Sequence, residues 1–299
     1  MSTADAFTPR VAAASLSGEA DAAWARTAAP HIGCAFLGGI ALDEPTRDAA
    51  RALVGRDRDE FLPSDPLAFV DDQLLALADA PLRPAFNVRA AAPRPVAAAA
   101  EVCAAHDAVL EVNAHCRQGE MCGAGAGQSL LHEPDRLAAQ VRAASETGAT
   151  TSVKCRTEVP GVDLPAVCRR AHDAGADVLH VDAMDSEGVV AAVAAACPDA
   201  FVVANNGVRD RRTVREYLSY GADAVSVGRP SDRPPVLRRE RVAVGNGVHR
   251  SAPARRRARR SRYHAVGNSA ASSPTTVSLF PASPSWSHSR SIVPRTPPA

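Results

Sequence analysis

Strand and helix signals alternate through most of this chain, and that alternation limits the fold more than any other feature. Short apolar runs occur at residues 85–89, 108–114, 150–156, 178–183, 201–205 and 224–228. Helical patterns fill the gaps at 95–106, 134–147, 164–174, 188–196 and 210–220. Three of these helices end alike, in Thr147-Gly148-Ala149, Ala174-Gly175-Ala176-Asp177 and Tyr220-Gly221-Ala222-Asp223. Glycine just past a helix supplies a left-handed cap at little steric cost. The apolar runs are continuous rather than alternating, as in strands buried on both faces. Strand–helix alternation of this kind implies parallel strands joined by right-handed crossovers.

Upstream, residues 31–39 are apolar, end in Gly38-Gly39 and read as a first strand; 58–62 reads as a second. Helices are expected at 43–55 and 65–80, and a helical stretch near 18–28 in the alanine-rich start. Eight strand–helix units in residues 1–240 match a (β/α)8 TIM barrel, usually about 250 residues long. An open doubly wound sheet is the alternative. The barrel is favoured because polar residues follow most of the strands, whereas an open sheet concentrates them at one switch point.

Charge divides the chain in two. Residues 1–240 hold 24 basic and all 33 acidic side chains, a net of −9; residues 241–299 hold ten arginines and no acid. The acidic body repels nucleic acid unless a basic patch intervenes. The tail is rich in Pro, Ser and Arg, with a basic cluster at 255–262, and reads as a disordered low-complexity segment able to neutralise phosphates. So abrupt a switch is also what out-of-frame translation of a GC-rich gene would leave. Without a run of 18 apolar residues no membrane span is expected, nor is a signal peptide. Seven scattered cysteines with no C-x-x-C pair suit reduced thiols in the cytoplasm.

In a barrel, residues at the carboxyl ends of the strands converge on one face. Those residues here are Asn87 and Arg89; Asn113, His115 and Cys116; Lys154 and Arg156; His180 and Asp182; Asn205, Asn206 and Gly207; Gly228 and Arg229. Asn206-Gly207 and Gly228-Arg229 follow the last two strands, where small residues let backbone N–H groups reach a phosphate. Turn-making alone would also explain those glycines. Lys154 is the single lysine among 34 basic residues. It shares a strand face with Arg156, suiting stabilisation of developing negative charge; an internal ion pair with Glu111 or Asp182 is the bland alternative. Cys116 suits a general acid or a small buried hydrophobe. His180 suits a catalyst or a satisfied strand histidine. Cys116 and Cys122 lack the further ligands that a metal site needs.

The runs N-A-H-C at 113–116, G-A-G-A-G at 123–127 and V-K-C-R at 153–156, with His180, N-G at 206–207 and V-G-R at 227–229, resemble the FMN-dependent tRNA-dihydrouridine synthases. They resemble most their archaeal, dihydroorotate-dehydrogenase-like barrel relatives. The resemblance implies an FMN phosphate on Asn206, Gly207, Gly228 and Arg229, with Lys154 at the flavin's pyrimidine edge and His180 beside the cofactor. It also implies Asn113 and Arg156 orienting a uracil-type ring, Cys116 supplying a proton, and NADPH or NADH supplying electrons. The substrate would be tRNA uridine or, alternatively, a free dihydroorotate or dihydropyrimidine. Readings of another class are a non-redox phosphate-binding barrel and an RNA-binding protein acting through the tail. The chain departs from the family pattern where Gly-Cys-Pro becomes His115-Cys116-Arg117 and His-Gly-Arg becomes His180-Val181-Asp182. The family's N-terminal Pro-Met-Ala-Gly flavin motif has no clear match, residues 30–39 being a poor substitute.

Overall fold

The computed structural model describes residues 8–232 together with 237, 238 and 244. The expected tail, save residue 244, lies outside the described residues. Eight parallel strands close into a barrel in sequence order: β1 (Val11–Ala13), β2 (Cys34–Ala41), β3 (Arg83–Arg89), β4 (Val109–Asn113), β5 (Thr150–Arg156), β6 (Val178–Asp182), β7 (Phe201–Asn205) and β8 (Ala224–Val227). Pairing of Ala12 with both Cys34 and Ser226 shuts the barrel. Helices α1 (Ala22–Ala28), α2 (Glu44–Val54), α3 (Pro66–Leu75), α4 (Pro93–Ala105), α5 (Gly119–Gly123), α6 (Ser129–His132), α7 (Pro134–Ser145), α8 (Leu164–Asp173), α9 (Val189–Ala196) and α10 (Arg211–Ser219) complete the units.

Two strand assignments change. The first strand is Val11–Ala13, so residues 31–39 belong to the second. Three residues, two of them alanine, carry almost no strand signal, because alanine is depleted in strands. Residues 58–62 give no barrel strand; Phe61 only bridges to Ile40. A strand covered on both faces needs a continuous apolar run, and Arg58, Asp59 and Glu60 break it.

The repeated helix endings have a physical role. Gly175, at φ +118°, takes the left-handed turn, and a Cβ there would meet the Ser145 side chain. The aspartate after it staples the next strand to its neighbour: Asp177 Oδ2 accepts from Thr151 N at 3.0 Å, and Asp223 Oδ2 from Val202 N at 2.9 Å. Aspartates also cap helix starts, Asp65 accepting from Leu67 N and Ala68 N, and Asp210 from Thr213 N. Each such cap contributes about 1 kcal/mol.

Strand alternation sorts side chains into two apolar sets. Leu110 and Val112 face the helices with Leu37, Val153 and Leu179. Val109 faces the lumen with Cys34, Phe36, Val178, Phe201 and Val203. Toward the carboxyl ends the lumen turns polar, and there the candidate site begins.

Candidate active site

A hydrogen-bonded chain crosses the lumen just below the mouth. Glu111, fully buried on β4, is its hub. Its Oε1 accepts from Asn87 Nδ2 at 2.8 Å; its Oε2 accepts from Ser152 Oγ at 3.0 Å and from His180 Nδ1 at 2.8 Å. His180 Nε2 lies 2.7 Å from Ser226 Oγ, which also accepts from Asn205 Nδ2 at 2.8 Å. Asn113 Nδ2 donates to Asn87 Oδ1 at 2.8 Å. Burial favours the neutral forms of both ionisable members. For Glu111 that effect is overcome by His180, Lys154 and Asn87, so its pKa falls and it stays a carboxylate. For His180 burial prevails and the pKa falls, leaving a neutral ring. The pattern then fixes its tautomer: Nδ1–H donates to Glu111, and Nε2 accepts from the Ser226 hydroxyl. The His180 ring packs on Phe36 at 4.8 Å between centroids.

Two cations stand above this layer. Lys154, 4% exposed, reaches across the mouth from β5 to Ser15, just past β1, with Nζ 3.5 Å from Ser15 Oγ. Glu111 and Asp182 pull its pKa up, but burial outweighs them and lowers it. Neither carboxylate lies at ion-pair distance, and among the described residues Lys154 and Arg156 make no salt bridge. Arg156, 7% exposed, has one long contact, Nε to Thr157 O at 3.4 Å. Buried cations are ordinarily paired; two side by side without partners leave donors available to a ligand.

The two departures at 115 and 182 meet. His115 Nε2 is hydrogen-bonded to Asp182 Oδ2. Asp182 Oδ1 also accepts from Asn206 Nδ2 at 3.1 Å and Met184 N at 3.2 Å. Burial works against Asp182 ionisation, but His115, Asn206 and the Met184 amide bring its pKa to about 2. The His115 pKa is lowered, first by burial and then by Lys154 and Arg156, against the pull of Asp182.

Cys116 lies three residues beyond Asn113, whose partner on β5 is Lys154, so its loop leaves the barrel on the rim that carries the amine, and its side chain packs against the cluster of Ala41, Leu53 and Met121. Asn113 Oδ1 accepts from His115 N at 3.0 Å and Cys116 N at 2.9 Å, and Cys116 O accepts from Gln128 N at 2.8 Å. Asn113 thus spends its carbonyl on the loop that carries the thiol. Arg89, 1% exposed, pairs with Glu60 and Gly39 O and has Cys116 within its electrostatic reach.

Beyond β7, Asn206 and Gly207 take φ of +73° and +64°. Asn206 is exposed, and its carbonyl accepts from Tyr217 Oη at 2.7 Å. Beyond β8, a Cβ on Gly228 would meet no atom within 4 Å. Arg229 is exposed, and Ser231 Oγ is buried without a hydrogen-bond partner among the described residues. Open space, an orphaned hydroxyl, an arginine and two unpaired cations across the mouth fit a phosphate-bearing ring that takes up negative charge, such as that of FMN. Among the described residues no cluster of His, Cys, Asp and Glu could hold a metal ion, and no helix is long and apolar enough to cross a membrane.

Eight of the nine residues given a role by the resemblance stand toward strand ends or in the loops just beyond them; His180 is the middle residue of β6, fully buried in the lumen layer. Glu111, Ser152 and Ser226 were missed as members of the lumen chain. Parity could have found the first two: Glu111 lies two residues before Asn113, and Ser152 two before Lys154, on the same faces.

The family model for dihydrouridine synthase matches residues 74–270. An uncharacterised protein of Methanocaldococcus jannaschii is 26% identical over 232 residues, covering 74% of this chain and 88% of that protein. Among solved structures, a 2,3-dimethylmalate lyase of the PEP mutase/isocitrate lyase superfamily superposes with a TM-score of 0.50 at 16% identity, covering 78% of this chain and 79% of that one. A FabK variant from Thermotoga maritima gives a TM-score of 0.49 at 13% identity over 73% of this chain, which spans 60% of that protein's length. The lyase likeness concerns the barrel fold alone.

Proposed function

Because the chain belongs to the dihydrouridine synthase family, we propose that it is an FMN-dependent oxidoreductase that reduces the C5=C6 bond of a uracil-type ring, with tRNA uridine as substrate. The observation that carries this reading is the buried, unpaired Lys154 ammonium reaching across the mouth to Ser15. FMN, when bound, supplies hydride to one ring carbon. Asn206, Gly207, Gly228 and Arg229 hold its phosphate, with the Ser231 hydroxyl beside them. Lys154 stabilises negative charge at the pyrimidine edge of the ring system. His180, held by Glu111 and Ser226, supports the cofactor from the layer beneath.

Cys116 passes the proton of Sγ–H to the neighbouring ring carbon, and the thiolate is reprotonated by water. The Asn113 carbonyl fixes the Cys116 backbone while the thiol acts. Arg156 and the remaining Asn113 amide hydrogen orient the ring, and NADPH or NADH restores the reducing electrons. We assign the catalytic barrel to residues 1–240; the ten arginines of 241–299 fall in a stretch that, save residue 244, lies outside the described residues. The test is the absorbance spectrum of the purified full chain, followed by mass analysis of released ligand. Flavin absorbance and an FMN mass are expected. A colourless protein that takes up no added FMN refutes the reading.

A further inference from the structure

We infer that His115 is the residue that reads the uracil-type ring, its Nδ1 accepting the ring imide N–H while Asp182 holds the imidazole through Nε2. This rests on the proposed substrate class. His115 stands two residues past β4 and Asp182 ends β6, so their hydrogen bond spans the mouth over β5. Asp182 is itself fixed by Asn206 and the Met184 amide. A carboxylate only accepts, so the hydrogen in the His115–Asp182 contact belongs to Nε2. A neutral ring then carries a lone pair on Nδ1, which makes no hydrogen bond among the described residues. The side chain is 30% exposed, so a ligand in the mouth can reach it. Arg156 lies within electrostatic range of the imidazole and offers donors for a carbonyl oxygen.

A ring carrying an imide N–H beside a carbonyl complements one acceptor with a cationic donor nearby. Cytosine, with a lone pair at that nitrogen, sets acceptor against acceptor. Buried or half-buried polar groups reject a partner that leaves them unmatched. Asp182 is the positioning residue: without its carboxylate the imidazole is free to adopt either tautomer.

The test is equilibrium dialysis of uridine and cytidine against the full chain reconstituted with FMN. Wild type is expected to prefer uridine on the order of ten-fold, the usual worth of one matched against one opposed hydrogen bond. His115→Ala should bring the two affinities together mainly by weakening uridine. Asp182→Asn should narrow the preference although His115 remains. FMN uptake monitors the fold of each variant. Equal uridine and cytidine affinity in wild type, no uridine binding by the FMN-loaded chain, or an unchanged preference in His115→Ala overturns the inference while the flavin reading stands. Failure of wild type to take up FMN removes the functional reading and the inference with it.

Discussion

Glu111→Gln should destabilise the barrel by about 2–4 kcal/mol, and the geometry says why. Three donors converge on this carboxylate: Asn87 Nδ2 on one oxygen, Ser152 Oγ and His180 Nδ1 on the other. A hydrogen bond to a charged group is worth about 1.5–3 kcal/mol. Glutamine can keep its carbonyl toward Ser152 and His180, but its amide must then face the Asn87 amide, donor against donor. Asn87 cannot turn over freely, because its Oδ1 accepts from Asn113. One charge-assisted bond is lost and two donors stand opposed, at about 1–3 kcal/mol for a buried unsatisfied group. Lys154 and the His180 pair also lose a nearby negative charge. For a domain of this size, with about 2–4 °C per kcal/mol, Tm should fall by roughly 5–15 °C. The pH dependence carries a second signature. The Glu111 pKa is lowered on folding, so its contribution is present above the unfolded carboxylate pKa and disappears as pH falls through the folded value. Denaturant titration of wild type and variant at pH 7 and at acid pH measures both. A variant within about 0.5 kcal/mol of wild type at pH 7, the scatter of ordinary surface substitutions, would refute the idea that Glu111 is the hub of the lumen.

Lys154→Met should lower FMN affinity about ten-fold or more, the cost of one charged contact, read by flavin fluorescence; unchanged affinity and reduction would remove its role. Cys116→Ala should leave FMN binding and flavin reduction intact while slowing product formation about 10²–10⁴-fold, the usual worth of a positioned acid, measured in single turnover. Gly228→Val should leave Tm nearly unchanged, since a Cβ there meets no atom within 4 Å, yet weaken FMN uptake by filling the phosphate cradle; titration beside calorimetry separates the two.

The barrel was legible in part because two of its units repeat one physical device: a glycine turn, then an aspartate that pins the next strand. Asp177 and Asp223 use both their main chains and side chains for this. β1 was illegible for the opposite reason. Val11–Ala13 is held by pairing on both edges, and such tertiary pairing overrides a weak local propensity. The site was half legible. Lys154 and Arg156 stood out by type and parity, yet their lack of ion-pair partners depends on distances no sequence prints. Glu111 was read only as a counter-charge for Lys154, although three hydrogen bonds make it the centre of the lumen.

The histidine at 115 and the aspartate at 182 are separated by about two barrel units, and each alone breaks a rule. Asp182 without His115 would put a mostly buried carboxylate in the mouth with only Asn206 and one amide to hold it. His115 without Asp182 would be an imidazole among Lys154 and Arg156 with no group to fix its orientation. Together they neutralise each other's cost: the carboxylate gains a donor, the ring gains a tautomer, and the mouth keeps its two free cations. This hydrogen-bonded pair gives its part of the rim a directional acceptor rather than a further positive charge. On the proposed reading the pair bears on which ring the mouth recognises, and through the Asn206 Nδ2–Asp182 Oδ1 bond at 3.1 Å it is tied to the end of β7 as well.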